Sequence, residues 1–302
     1  MKTYLECVPC LLRQTVAACR MLAAPEAVQD RLVRNVLTEL AGADLSQPPP
    51  VLAQAIHRQI RELSLQKDPY RWVKKHFTDL ALGLLEELTQ TVEDSRNPPE
   101  TALRLAIAGN VIDLGVTGTL SEAEVFAAIE HALAAPLQGD PDELMLAAKS
   151  ARKILYLADN AGEIVFDRLL LQQLPLERVT LAVKGAPVIN DAVREDAVAA
   201  GIDTLVEVID NGADVPGTLL AECSENFLRH FAEADLVIAK GQGNYETLND
   251  VPKDIFFILK AKCPVIARDL GCSVGDLILR RSGKERAGSD RIVRKNAVNP
   301  LR

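Results

Sequence analysis

Apolar residues in the first hundred positions recur at helical spacing. Leu, Val and Ala run from Cys7 to Met21 with Arg13, Gln14 and Arg20 set between them, which predicts a first helix. Leu32, Val33, Val36, Leu37 and Leu40 form the stripe of a second over 26–40, with Pro25 at its N1 position and Gly42 as its stop. The run Gln47, Pro48, Pro49, Pro50 predicts a stiff connector. A third helix follows over 51–63, with Leu52, Ile56, Ile60 and Leu63 on one side. Asp68-Pro69-Tyr70 opens a long fourth helix through Trp72, Leu80, Leu82 and Leu85 to about Val92, and Asn97-Pro98-Pro99 breaks the chain again. Leu103, Ala106, Ile107 and Ala108 start another helical stretch. Gly109-Asn110 then interrupts it before Ile112-Asp113. A glycine inside a helix costs ~1 kcal/mol relative to alanine, so the chain turns there or a ligand approaches closely. Ser121 and Glu124 have the spacing of a capping box for a short helix to about Ala135.

From Lys153 the period changes. Short apolar runs predict strands over 154–158, 179–183, 204–208, 236–239 and 265–267, with helices between them over 163–173, 191–200, 223–232 and 245–248. Such alternation argues for an α/β fold: a parallel sheet in a three-layer α/β/α domain. The predicted division is an all-α N-terminal domain over 1–100 and an α/β domain over 101–302. No internal repeat is visible.

Composition narrows the functional classes. Of 302 residues nearly half are hydrophobic, so a packed core is available, while the net charge of -8 argues against a nucleic-acid-binding body. Aromatics are few, which removes base-stacking platforms. The Arg- and Lys-rich stretch from Arg280 to Arg302 reads as a solvated end. No apolar run is long enough to span a membrane and no signal peptide is visible. The expected location is therefore cytoplasmic, with the six cysteines as thiols. Cys7 and Cys10 share a helix face but lack the further ligands of a zinc site, so structural, metal and redox roles all stay open. His57, His76, His131 and His230 stand on helical segments without evident partners and read as structural or exposed.

Three predicted loops carry chemistry, and in an open α/β sheet the loops after the strands share one ligand-binding edge. The first holds Asp159, Asn160 and Glu163, at the end of a strand and the start of a helix. Asp159 and Asn160 offer hard oxygens suited to Mg²⁺ or Mn²⁺, and the helix start suits an anion. An ordinary turn and helix cap is the plainer reading. The second loop, Lys184 to Asp191, adds a carboxylate at Asp191, which equally suits an N-cap. Two aspartates and an asparagine, completed by water and substrate oxygens, make an octahedral site. The third is Lys240-Gly241-Gln242-Gly243-Asn244, whose glycines let backbone N–H groups curl toward an anion beside Lys240. It has neither Walker A nor dinucleotide-fold spacing, and no Gly-x-Ser-x-Gly elbow occurs in the chain.

With these motifs the chain resembles the DUF89 family of metal-dependent damage-control phosphatases, in particular its prokaryotic-type subfamily with an N-terminal Cys-x-x-Cys, here Cys7 and Cys10. Asp68-Pro69-Tyr70 with Lys74, and Gly109-Asn110 with Ile112-Asp113, also look like family segments. The resemblance implies a divalent ion (Mg²⁺, Mn²⁺, Co²⁺ or Ni²⁺) on Asp159, Asn160 and Asp191, and a small phosphorylated metabolite as substrate. It implies phosphate contacts from the loop of Lys240, Gly241, Gln242, Gly243 and Asn244; on that reading Asn110 is a further substrate contact, Lys240 stabilises developing charge, Glu163 handles a proton or binds substrate hydroxyls, and either Asp159 or a metal-bound water attacks. Substrate specificity is expected from the helical part, near Asp68, Lys74 and Asn110. The competing readings are a metal–phosphometabolite sensor without turnover and a cofactor-dependent transferase on the same sheet.

Overall fold

A computed structural model describes residues 1–110 and 122–283. Helices come first: α1 (Cys7–Met21), α2 (Glu26–Gly42), α3 (Pro49–Ser64), α4 (Arg71–Glu93), α5 (Pro98–Gly109) and α6 (Glu122–Ala134). Then β1 (Leu137–Gln138), α7 (Pro141–Ser150), β2 (Ile154–Leu157), α8 (Glu163–Leu171), β3 (Val179–Val183), α9 (Arg194–Ala199) and β4 (Glu207–Asp210) follow. The chain continues with α10 (Glu225–Glu233), β5 (Leu236–Lys240), α11 (Gly241–Leu248), β6 (Ile255–Lys260), α12 (Pro264–Leu270) and β7 (Leu277–Arg281). Among the described residues no helix is long and apolar enough to cross a membrane.

Local chemistry sets the boundaries. Pro49 and Pro50 form the first turn of α3 instead of a connector, because the first helical N–H groups have no intrahelical acceptor and proline loses nothing there. Pro25 is the N-cap of α2 and not its N1 residue; its carbonyl accepts from Val28 and Gln29. Asn97 caps α5 through the Glu100 N–H, and α5 stops at Gly109, where an added Cβ would lie 3.0 Å from Phe166 Cβ. That close approach is helix on helix.

Sequence and structure part company in the sheet. The strand expected over 204–208 starts at Glu207, because Ile202–Thr204 close a 3-10 turn. Residues 265–267 are helical in α12, which Pro264 opens. The strands β1, β6 and β7 and the helix α7 were not predicted. The six-residue run of β6 is buried on both faces, so it shows no alternation to read. Ser121, Ile112, Asp113 and the stretch 284–302 lie outside the described residues.

The seven-stranded sheet has the order β1-β7-β6-β5-β2-β3-β4. It is not wholly parallel, since β7 runs antiparallel to β6. After β4 the chain returns to pair β5 with the other side of β2, a reversal that opens a crevice at the carboxyl ends of β2 and β5. Tyr156, Leu181, Ile238 and Phe256 bury one sheet face beneath α4, α5 and α8, with Phe77, Leu103 and Phe166 packed on them. Leu157, Ala239 and Phe257 bury the other, with Phe227 and Leu248.

The helices α1–α3 have a core of their own, with Leu32, Val36, Ile56 and Ile60 at its centre. His57 is buried beside the Tyr70 hydroxyl, and burial pushes its pKa down to about 3, so it is a neutral structural residue. One polar face of α3 grips the α/β body. Gln54, Arg58 and Arg61, spaced i, i+4, i+7, all donate to Asp214, and Arg61 also donates to the Pro187 carbonyl at 2.7 Å. Burial works against the ionised form of Asp214, but Arg58, Gln54 and Arg61 hold its carboxyl well below the usual range. Asp214→Ala removes the shared acceptor. Its expected cost is roughly 2–3 kcal/mol, the size of charge-assisted hydrogen bonds. Urea melts at pH 7 check this, and an unchanged midpoint would show that α3 needs no such anchor.

Candidate active site

Backbone pairing gathers the three predicted ligands. Beyond β2, Asn160 bridges antiparallel to Asp191; the Ala161 N–H donates to Asn190 O at 2.9 Å and the Ala192 N–H to Asp159 O at 2.8 Å. This short ladder sets Asp159, Asn160 and Asp191 side by side. It also excludes the N-cap reading of Asp191, since Val193 occupies the cap of α9. Ile189, just before the pair Asn190-Asp191, has φ 45°, a strained value for a β-branched residue. Gly241 has φ +77°, and a Cβ there would lie 1.9 Å from Asp159 Oδ2, so only glycine lets the carboxylate lie against the start of α11.

Two amides join two acids. Asn110 Nδ2 donates to Asp159 Oδ2 and Glu163 Oε2, both at 2.8 Å. Asn160 Nδ2 donates to the same two oxygens, at 3.0 and 2.8 Å. Asn110, Asp159, Asn160, Glu163 and Asp191 are thus brought together, and all are buried.

Lys240 is brought to the same cluster, but from beneath. It is fully buried, and its ammonium donates to Ala106 O at 2.9 Å, to Glu163 Oε1 at 2.6 Å and to Asp167. Burial lowers its pKa, but Asp167 and Glu163 override this and raise it. Burial pushes Asp167 up to about 6 against the pull of Lys240. The predicted glycine loop is the first turn of α11. Gly243 packs on the Pro216 carbonyl, and Asn244 donates to Lys240 O at 2.7 Å and accepts from Thr218 Oγ1 at 2.8 Å. Gln242 donates to Glu246 Oε1 at 2.9 Å and to Cys263 Sγ at 3.6 Å. Besides Gly241 against Asp159, this segment offers an anion the N–H groups of the α11 N-terminus.

Two residues outside the predicted set join the site. Asp167 lies one turn along α8 from Glu163. Lys184, the first residue after β3, is buried; its ammonium donates to Gly217 O and lies 3.4 Å from Asp191 Oδ2. Its position after a strand was the available signal. Lys74 is also buried, between Asp196 at 2.7 Å and Asp68 at 3.3 Å, and ties α4 to α9. All six cysteines are free thiols, and burial raises Cys7 and Cys10 above the usual thiol range.

The donor chemistry fits a hard divalent cation. Among the described residues, four buried carboxylates, Asp159, Glu163, Asp167 and Asp191, stand against two buried ammonium groups, Lys184 and Lys240, an excess of acidic groups. Asn110 Oδ1 is buried with no partner among the described residues. Among those residues no three His, Cys, Asp or Glu side chains form a ready metal cage. A cation at the ladder would therefore have Asp159, Asn160 and Asp191 as protein ligands and would take its other oxygens from water and substrate.

The profile described as "Damage-control phosphatase ARMT1-like domain" matches residues 3–278. The chain is 35% identical over 280 residues to a protein of Archaeoglobus fulgidus named "Damage-control phosphatase", covering 91% of this chain and 97% of that one. It is 38% identical over 288 residues to the uncharacterized protein MJ0202 of Methanocaldococcus jannaschii, covering 91% and 93% respectively. The crystal structure of the DUF89 family protein PH1575 from Pyrococcus horikoshii superposes with a TM-score of 0.83 at 32% identity, covering 93% of this chain and 99% of that one.

Two outcomes follow from the geometry. Gly241→Ala drives a methyl group into the Asp159 carboxylate and strains the backbone; denaturant melts are expected to show a loss of roughly 1–3 kcal/mol, and unaltered stability would contradict the packing described. Burial pushes Glu246 up to about 7 from 4.5, so the native state holds a proton that the unfolded chain releases, and this residue's contribution falls as pH rises from 4.5 to about 7. Urea midpoints measured across that range should fall less steeply in Glu246→Gln, and identical slopes would exclude a buried, protonated Glu246.

Proposed function

Because the chain belongs to the ARMT1-like damage-control phosphatase family, we propose that it is a divalent-metal-dependent phosphatase acting on small phosphorylated metabolites at the Asp159–Asp191 ladder. The observation that carries this reading is the pinned pair of loops, which holds two aspartates and an asparagine together at the sheet's ligand-binding edge amid an excess of acidic groups. Asp159, Asn160 and Asp191 hold the cation, with Mg²⁺, Mn²⁺, Co²⁺ or Ni²⁺ as candidates. When bound, the ion neutralises phosphoryl oxygens and orients the attacking group.

The chain's own residues do the rest. The substrate phosphate meets the N-terminus of α11, where Gly241 lets backbone N–H groups and Asp159 share one small volume. Glu163 accepts hydrogen bonds from two amides and the Lys240 ammonium, so it fixes Asn110 and Asn160 against Asp159. Lys240, with its protons engaged inside, acts as a positioning residue beneath Glu163 and Asp167. Asn110 Oδ1, buried without a partner among the described residues, is the acceptor for a substrate hydroxyl. In hydrolysis a water oxygen bonds to phosphorus, the ester P–O bond breaks, and the alcohol leaves with a proton.

The test is phosphate release from a panel of phosphomonoesters, with and without each ion. Release should require the ion and fall at least ~100-fold in Asp159→Ala and in Asp191→Ala, on the scale of losing a main electrostatic contact in the transition state. Metal-dependent ligand binding without release would favour a sensor. Release that persists in both variants would overturn the assignment.

A further inference from the structure

Strand alternation separates the two buried lysines. Leu157 pairs with Ala182 of β3 and with Ala239 of β5. One residue on come Ala158, Val183 and Lys240, and Lys184 follows Val183, still extended and bridged in parallel to Val193. In a parallel sheet the residues of one row point to one face, and successive rows point to opposite faces. Ala158 and Val183 belong to the core under α5 and α8, and Lys240 follows them inward to Ala106 O, Glu163 and Asp167. Lys184, one residue beyond Val183, turns to the opposite face, toward Gly217 O and Asp191.

The surroundings of Lys184 match that placement. Its ammonium lies between Asp191 Oδ2 and Gly217 O. Gly217 in turn packs on the α11 first turn, where a Cβ on it would come 2.4 Å from Gly243 O. The ammonium therefore sits between a cation ligand and the helix start that meets the anion. It donates once to Gly217 and faces Asp191; a third proton has no acceptor among the described residues. An ammonium has three donors, and Lys240 has acceptors for all of them.

We infer that Lys184, and not Lys240, is the side chain that contacts the substrate's phosphoryl group. This rests on the phosphatase reading above and assigns within it the positive charge that meets the phosphoryl oxygens. The hydrogen bond to Gly217 sets the position of the ammonium, and the open proton is directed to a phosphoryl oxygen.

The test is titration of the Mn²⁺-loaded protein with inorganic phosphate, by calorimetry, alongside titration of the metal-free protein with Mn²⁺. Lys184→Gln keeps a donor for Gly217 O, so the loop folds; melting temperatures confirm it. Phosphate should bind this variant roughly 10–100-fold more weakly, the weight of one charge-assisted hydrogen bond, and Lys184→Arg should recover part of the loss. Mn²⁺ should bind Lys184→Gln as well as the wild type or better, because a competing cation beside Asp191 is gone. Weakened Mn²⁺ binding with proportionate loss of melting temperature would make Lys184 structural and overturn the inference. Wild-type phosphate affinity in Lys184→Gln would overturn it as well, with the phosphatase reading intact. A wild-type protein that binds Mn²⁺ but neither binds phosphate nor releases it from any ester would remove the phosphatase reading, and this inference with it.

Discussion

The interaction on which the rest depends is the buried ammonium of Lys240 between Glu163 and Asp167. Charges taken so far from water are tolerated only when each is paired and hydrogen-bonded, and losing one partner from such a group costs about 3–5 kcal/mol. Here the pairing fixes direction as well as charge. Lys240 holds one oxygen of Glu163, so the other oxygen faces Asn110 and Asn160, and those amides in turn set Asp159. These hydrogen bonds couple the position of the candidate metal ligand Asp159 to that of the buried lysine.

Around that network the fold supplies two kinds of constraint. The order of strand addition reverses between the parallel neighbours β2 and β5, the switch point at which α/β sheets bind their ligands. Packing then closes the crevice: Gly162 lets Phe77 of α4 approach, Gly241 lets Asp159 approach, and the α3 side chains hold the stretches carrying Pro187 and Asp214. The α1–α3 unit has its own apolar core, and it meets these stretches through hydrogen bonds and ion pairs at Asp214 and through Ile189 packed on that core.

Much of this was legible in the sequence. The helices up to α5 announce themselves through stripes such as Leu32, Val36 and Leu40. Asp159 stands out as an acid at the end of an apolar strand and Asp191 as an acid closing the loop after the next strand, although each also suited a helix cap. The direction of Lys240 was not legible. It follows from which residue of β2 lies beside it, and pairing register belongs to the sheet and not to any one strand. Asp167 was hidden as one more acid on a predicted helix, and Lys184, although followed by Gly185, read only as the first residue of the loop that ends in Asp191. The strand β6 escaped because a run buried on both faces has no period, and 265–267 misled because a short apolar stretch after proline serves a helix as well as a strand.

The most direct measurement of the central claim is anomalous scattering from crystals soaked in Mn²⁺. One strong peak is expected, within bonding distance of oxygens from Asp159, Asn160 and Asp191. A well-occupied peak elsewhere, with those three side chains still bonded only to protein, would contradict the account.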